Sequence, residues 1–235
     1  MFANIAIVVA GLAAVGTALP AAGSATKRSI ADKYTFYQGD GSAAAGWPSQ
    51  DAWGSWDDLW NANVPLMQKS CLWNGWVGDD SDSEIQDIAT AIKSVAKSTG
   101  VDERFILAIM MQESKGCVRV PTTNNGVVNP GLMQSHNGAG SCFGTSPCPS
   151  STINLMINDG VAGTTDGPGL QKLLSQAKGQ VHNDGSQAYY AAARLYNSGS
   201  ADYTNLDNGL GSTACYSSDV ANRLTGWTLA ASTCA

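Results

Sequence analysis

In the stretch Ser81–Gly100 the apolar residues Ile85, Ile88, Ile92 and Val95 recur at spacings of three and four, which places them on one face of a helix. Ser81 and Glu84 stand in capping-box spacing ahead of that face, and Gly100 is positioned to close it. The next run, "VDERFILAIMMQES" (Val101–Ser114), is also helical in pattern, with Asp102 and Glu103 complementing the positive end of the helix. Residues 117–150 lose periodicity and are rich in Asn, Gly, Pro and Thr. Helical patterns return around 151–158, 168–178 and 186–197, and a last one starts near Ser217. No alternating run supports a strand, so the pattern predicts a mostly α domain with a long loop after its second helix. Upstream, "GWPSQDAWGSWDDLWNANVPL" puts Trp53, Trp56 and Trp60 at i, i+3 and i+7, one face of a short helix, which reads either as an aromatic platform for sugar rings or, as helical spacing favours, as packing that fixes the N-terminal arm onto the main body. Trp47, Trp73 and Trp76 lie in Gly-, Pro- and Asn-rich loops and are the better candidates for exposed stacking.

Three segments follow from this pattern. Residues 1–28 read as a signal peptide and short pro-segment: the apolar run "MFANIAIVVAGLAAVG", small residues suited to cleavage, then the dibasic pair Lys27-Arg28. Residues 29–80 are a Trp-rich extension packing on the core, and 81–235 form the main domain. With 43% hydrophobic and 14% charged residues, the chain buries a substantial core. Its formal charge of −6 becomes −8 once Lys27 and Arg28 are removed, leaving 11 basic against 19 acidic residues. That balance, without a basic cluster, argues against nucleic acid and anionic membrane surfaces as partners. An extracellular monomer is expected, with no membrane association after processing.

Six cysteines, Cys71, Cys117, Cys142, Cys148, Cys215 and Cys234, form an even set behind a signal peptide and so predict disulfides. Spacing leaves most of the pairing open; Cys142 and Cys148 close a short Gly/Pro loop and are the expected local pair. With no Cys-x-x-Cys motif and with His136 and His182 far apart, neither a metal site nor a cofactor is expected.

The chain has three glutamates, and two of them, Glu84 and Glu103, have ordinary helix-end roles. Glu113 does not. It continues the stripe of Ile106 and Ile109/Met110, at the C-terminal end of an apolar helix face. Desolvation and the negative helix end both disfavour its ionised form, which suits a general acid. The competing reading is a structural carboxylate bonded to loop amides.

"VDERFILAIMMQES", then "NPGLMQ" (Asn129–Gln134), then "AARLYNSG" (Ala192–Gly199) resemble the catalytic core of lytic transglycosylases and goose-type lysozymes, glycoside hydrolase family 23. The three blocks occur in the family's order and span about 100 residues; 29–80 and the C-terminal tail lie outside them. The resemblance implies a lysozyme-like helical domain with a substrate cleft over 81–235. It implies Glu113 as the catalytic acid, Gly131, Leu132, Met133 and Gln134 as a strip lining a glycan groove, and Tyr196 and Asn197 beside the acid. His136, next to that strip, is a candidate to orient substrate, against the plainer reading of a turn histidine. The implied partner is a polysaccharide, peptidoglycan or a neutral chitin-like β-1,4-glycan; the competing class is a non-catalytic glycan-binding or host-interaction protein. The family's Ala-x-Gly-Ala-type block is replaced by "TTNNGVVNP". No carboxylate lies between Glu113 and Asp159, so a second catalytic carboxylate would come from afar, with Asp159, Asp166 and Asp184 as candidates.

Overall fold

The computed structural model describes residues 30–234, so the signal-peptide and pro-segment reading of 1–28 lies outside the described residues. The described chain holds seven α-helices: α1 (Trp56–Trp73), α2 (Asp82–Thr99), α3 (Glu103–Ser114), α4 (Ser150–Val161), α5 (Leu170–Val181), α6 (Ser186–Ser198) and α7 (Tyr216–Leu224). One antiparallel hairpin, β1 (Thr123–Asn124) and β2 (Val128–Asn129), sits in the long loop expected to be irregular, with Thr123 opposite Asn129 and Asn124 opposite Val128. The chain is thus mostly α.

α2 forms as its pattern dictates. The Ser81 hydroxyl accepts from the Glu84 amide at 3.3 Å, while Glu84 accepts from the Ser81 amide at 2.7 Å. Gly100 ends the helix in the left-handed region (φ 73°), its amide donating to Ala96 O at 2.8 Å. Glu84 does more than cap. It is buried, pairs with Arg119 and accepts from the Cys148 amide at 2.7 Å, which holds the 142–148 loop onto α2. α3 is the central helix: every residue from Phe105 to Met111 is buried, so it has no solvent face over that span. It packs against α1, α2 and α7, while α2 packs on α4 and α5 on α6.

The N-terminal region departs from expectation in three places. Trp73, expected in a loop, is the last residue of α1, because that helix runs on for 18 residues rather than stopping short. Trp53 is not on the helix of Trp56 and Trp60: Ser55 caps α1, and Trp53 precedes it in extended conformation. Its indole is buried edge-on against Tyr189, 5.2 Å between centroids, and donates to Tyr190 Oη at 2.9 Å. Trp47, expected to be exposed, is buried between Tyr37 and Tyr190 at 5.5 and 5.0 Å and donates to Gln38 O at 2.8 Å. Its Gly- and Pro-rich surroundings permit a fold-back that local composition does not reveal. Residues 30–80 therefore supply Trp47, Trp53, Leu59 and Met67 to the same core cluster as α2–α7.

The cysteines pair as Cys71–Cys117, Cys142–Cys148 and Cys215–Cys234. The local pair is the expected one; the other two tie α1 to the end of α3 and the start of α7 to the C-terminal tail. Three disulfides fit an oxidising, extracellular environment. Among the described residues no helix is long and apolar enough to cross a membrane.

Candidate functional site

Glu113 lies in the last turn of α3, on a helix whose preceding residues Ile109, Met110 and Met111 are all fully buried. Lys115 then takes a left-handed conformation (φ 55°) and turns the chain away. The carboxyl group is left half-buried at the wall of a cavity of about 570 Å³. Burial raises its pKa from the ordinary 4.5 to about 7, against the opposing pull of a hydrogen bond from Tyr216 and the nearby Lys115 ammonium. Lys115 is itself lowered to about 8 by burial and by the Arg223 charge.

The phenol of Tyr216 donates to Glu113 Oε1. Tyr216 is the first residue of α7, follows directly on the Cys215–Cys234 disulfide and is buried. Beneath it lies Arg194 of α6, fully buried, its guanidinium 5.9 Å from the Tyr216 ring centroid. Arg194 donates to Thr213 O at 2.8 Å, Ala214 O at 3.0 Å, Ser198 Oγ at 3.2 Å and Asn197 Oδ1. One buried cation thus fixes the segment leading into Tyr216 and the carboxamide of Asn197. A guanidinium only donates, so Asn197 directs its oxygen at Arg194 and keeps its Nδ2 donors for other partners.

Tyr196, predicted beside the acid, is near enough for the negative charge of Glu113 to raise its pKa further above a value already lifted by burial. Its hydroxyl, however, donates to Met133 O at 2.8 Å rather than to Glu113. The carboxyl's phenol partner is Tyr216. Gly160 on α4 allows the Tyr196–Met133 contact, since a Cβ there would lie 2.9 Å from Tyr196 Oη and 2.4 Å from Met133 Cβ.

The predicted strip 131–134 divides. Leu132 and Met133 are fully buried, so their side chains pack in the core rather than on the cavity wall. Gly131 is needed for interior reasons: it sits at φ 71°, and a Cβ would lie 2.6 Å from Gly140 O and 2.7 Å from the Met156 side chain. Gln134 does face the cavity. It accepts from Thr123 Oγ1 at 2.9 Å and donates to Gly131 O at 3.1 Å, which couples the β1–β2 hairpin to the strip.

A second cavity of about 500 Å³ shares Asn125, Asn129, Gln134, Tyr196, Asn197 and Ser212 with the first, so the two form one groove. It continues to Pro168, Leu173 and His136; His136 is exposed, and its carbonyl accepts from Thr164 Oγ1 at 2.7 Å. Glu113 is the sole carboxylate among the residues lining either half. Asp159 is buried beneath the wall, accepting from the Ala139 and Gly140 amides at 2.8 and 3.1 Å. Asp166 accepts from Asn137 at 3.2 Å on the exposed loop, and Asp184 is paired with Lys178 on the surface. The closest set of potential metal donors among the described residues, Cys71, Asp80 and Cys117, has its two sulfurs bonded to each other.

Sequence reasoning missed Tyr216, Arg194 and the hairpin residues Thr123 and Asn125. An arginine in the otherwise apolar "AYYAAARL" was a usable signal, since a buried cation needs several acceptors. Asn125-Gly126 in "TTNNGVVNP" was another, for a tight turn. Tyr216 carried no local signal. No protein-family model matches the chain, and no curated protein is significantly similar to it.

Proposed function

We propose that this chain is a secreted glycosidase of the lysozyme superfamily, resembling lytic transglycosylases, that cleaves β-1,4 bonds of an amino-sugar polymer with Glu113 as general acid and then base. Peptidoglycan is the leading substrate. The observation that carries the reading is a lone, half-buried carboxyl in an otherwise uncharged groove, held protonated to about pH 7 and bonded to a phenol. A protonated carboxyl beside a glycosidic oxygen donates its proton as the C–O bond breaks; the resulting carboxylate then accepts a proton from the group that attacks the anomeric carbon. Tyr216 holds the acid in place and bonds more strongly to the carboxylate that forms after donation. With Glu113 the sole carboxylate on the groove, attack by a hydroxyl of the same sugar is favoured over water activated by a second acid. That route consumes no water and leaves an intramolecular anhydro end.

The same groove favours a second substrate. It is lined by Asn125, Asn129, Gln134, Asn197 and Ser212 with no Lys or Arg, in a chain of net charge −6. Carboxamides and hydroxyls pair with N-acetyl and hydroxyl groups and offer no attraction to anionic polymers. A neutral β-1,4-linked N-acetylglucosamine chain therefore fits the lining. The experiment is digestion of purified peptidoglycan and of chitin oligosaccharides by wild type and Glu113→Gln, with products weighed by mass spectrometry. Loss of cleavage in the variant and products one water lighter than the hydrolytic ones are expected. Equal cleavage by both proteins would remove Glu113 from the chemistry, and binding without products would favour a lectin-like role.

A further inference from the structure

Five of the seven tryptophans have a ring or cation partner. Trp47 and Trp53 meet Tyr190, Trp56 stacks on Trp60 at 5.3 Å, and Trp227 lies against Tyr34 and Arg223. Trp73 and Trp76 meet neither among the described residues. Trp73, at the C-terminal end of α1, is 66% exposed, and Leu72 and Val77 beside it are 61% and 63% exposed. The Trp73 indole lines a pocket of about 290 Å³, well apart in its lining from the Glu113 groove, with Pro65, Leu66 and Lys69 of α1 on one side and Leu229 of the C-terminal tail on the other. The tail wall is preformed. Asp32 accepts from the amides of Thr228, Leu229 and Ala230 at 2.8, 3.0 and 3.0 Å, and Trp227 donates to Ala230 O at 2.7 Å. Lys69 is the one charged side chain in the lining and forms no ion pair among the described residues.

An indole without a ring or cation partner, apolar walls and a single ammonium at the edge suit one kind of ligand. A pyranose ring presents an apolar C–H face of the kind that stacks on an indole, rimmed by hydroxyl oxygens that accept from an ammonium. We infer that this pocket is an accessory glycan-binding site, in which a sugar ring of the polymer stacks on Trp73 with Lys69 at its polar edge. The inference rests on the reading of the Glu113 groove as glycan-cleaving. The Cys71–Cys117 disulfide fastens the end of α1 to the segment just after Glu113, so both sites ride on one rigid frame. On a polymeric or particulate substrate, engagement of one site raises the effective concentration of glycan at the other.

The test is co-sedimentation of the full processed chain with insoluble chitin and with purified peptidoglycan, using Glu113→Gln to prevent digestion, with and without Trp73→Ala. Thermal midpoints serve as the fold control, because a side chain this exposed contributes little to stability. Trp73→Ala is expected to weaken binding to at least one solid roughly tenfold. Unchanged sedimentation, or failure of the Trp73 protein to bind either polymer, overturns the inference. So does a shift from dimer to monomer on Trp73→Ala with no change in polymer binding, since the pocket would then be a self-association surface. If the active chain cleaves no glycan while Trp73-dependent binding persists, the catalytic reading fails and the accessory site stands.

Discussion

On the proposed reading, the protonation state of Glu113 sets the working pH, and Tyr216, whose phenol keeps its proton throughout that range, is its hydrogen-bond donor. Glu113 titrates near 7 in the folded protein against 4.5 in an unfolded chain, so the acid form needed for proton donation dominates below about pH 7. Activity is expected to fall as pH rises through that value, a limb that a kcat/KM profile resolves. Tyr216→Phe removes a donor that favours the carboxylate; Glu113 then holds its proton to higher pH, and the alkaline limb moves upward while peak activity drops. A downward or unchanged limb would show that the phenol does not govern the acid. The same shift is a stability statement. A carboxyl raised above its unfolded value supports the fold fully below about pH 4.5 and loses that support as pH rises through about 7. Glu113→Gln is therefore expected to be about 2–3 kcal/mol more stable than wild type at pH 8, the gap closing below pH 5 in urea titrations, while cleavage falls by roughly 10²-fold or more.

At the scale of elements, legibility followed how far a helix depends on its neighbours. α2 is half-exposed, so its apolar face, capping box and closing glycine all appear in the sequence, and Ser81→Ala is expected to cost about 1 kcal/mol, a fall of roughly 2–4 °C in Tm by calorimetry. The 106–109/110–113 spacing picked out Glu113, but the stripe it was assigned to is not a stripe: α3 is buried on all sides over Phe105–Met111, and Glu113 stands just past the end of that run. α1 runs past Pro65, which reads as a breaker. The carbonyl it leaves without a donor is that of Asn61, an exposed residue open to water, while Leu66 and Met67 are buried beyond it. The hairpin has two residues per strand, too few for an alternation signal, and the Asn125-Gly126 turn alone marked it. Of the candidate site, Glu113, Gln134, Tyr196 and Asn197 come together on the groove. Leu132 and Met133 do not, because a short motif does not say which of its side chains turn inward. Tyr216 reaches Glu113 across 103 residues of sequence only because α7 packs on α3, a contact that belongs to tertiary structure.

The whole molecule is held by ties between parts distant in sequence, and their relative strengths can be ranked. The N-terminal arm runs along α7: the Tyr34 hydroxyl donates to Asp219 at 2.7 Å, the Thr35 amide to Asn222 at 2.8 Å and the Tyr37 amide to Ser218 at 3.0 Å. Asp32 then clamps the tail that Cys215–Cys234 also fastens. The disulfides close loops of 46, 19 and 6 residues. On the chain-entropy account each stabilises by restricting the unfolded state, by about 4, 3 and 2 kcal/mol for Cys71–Cys117, Cys215–Cys234 and Cys142–Cys148 respectively. Paired Cys→Ser variants are therefore expected to lose stability in that order in urea titrations, each with an m-value increased by the freed chain. Activity should follow a different order. Cys215–Cys234 immediately precedes Tyr216, so its loss loosens the residue bonded to Glu113, whereas Cys71–Cys117, the stronger tie for stability, has neither cysteine in the groove lining. Two separate rankings, one for unfolding and one for glycan cleavage under conditions where all variants are folded, would show that stability and site geometry rest on different covalent ties. A single common ranking would show instead that the groove is only as ordered as the fold around it.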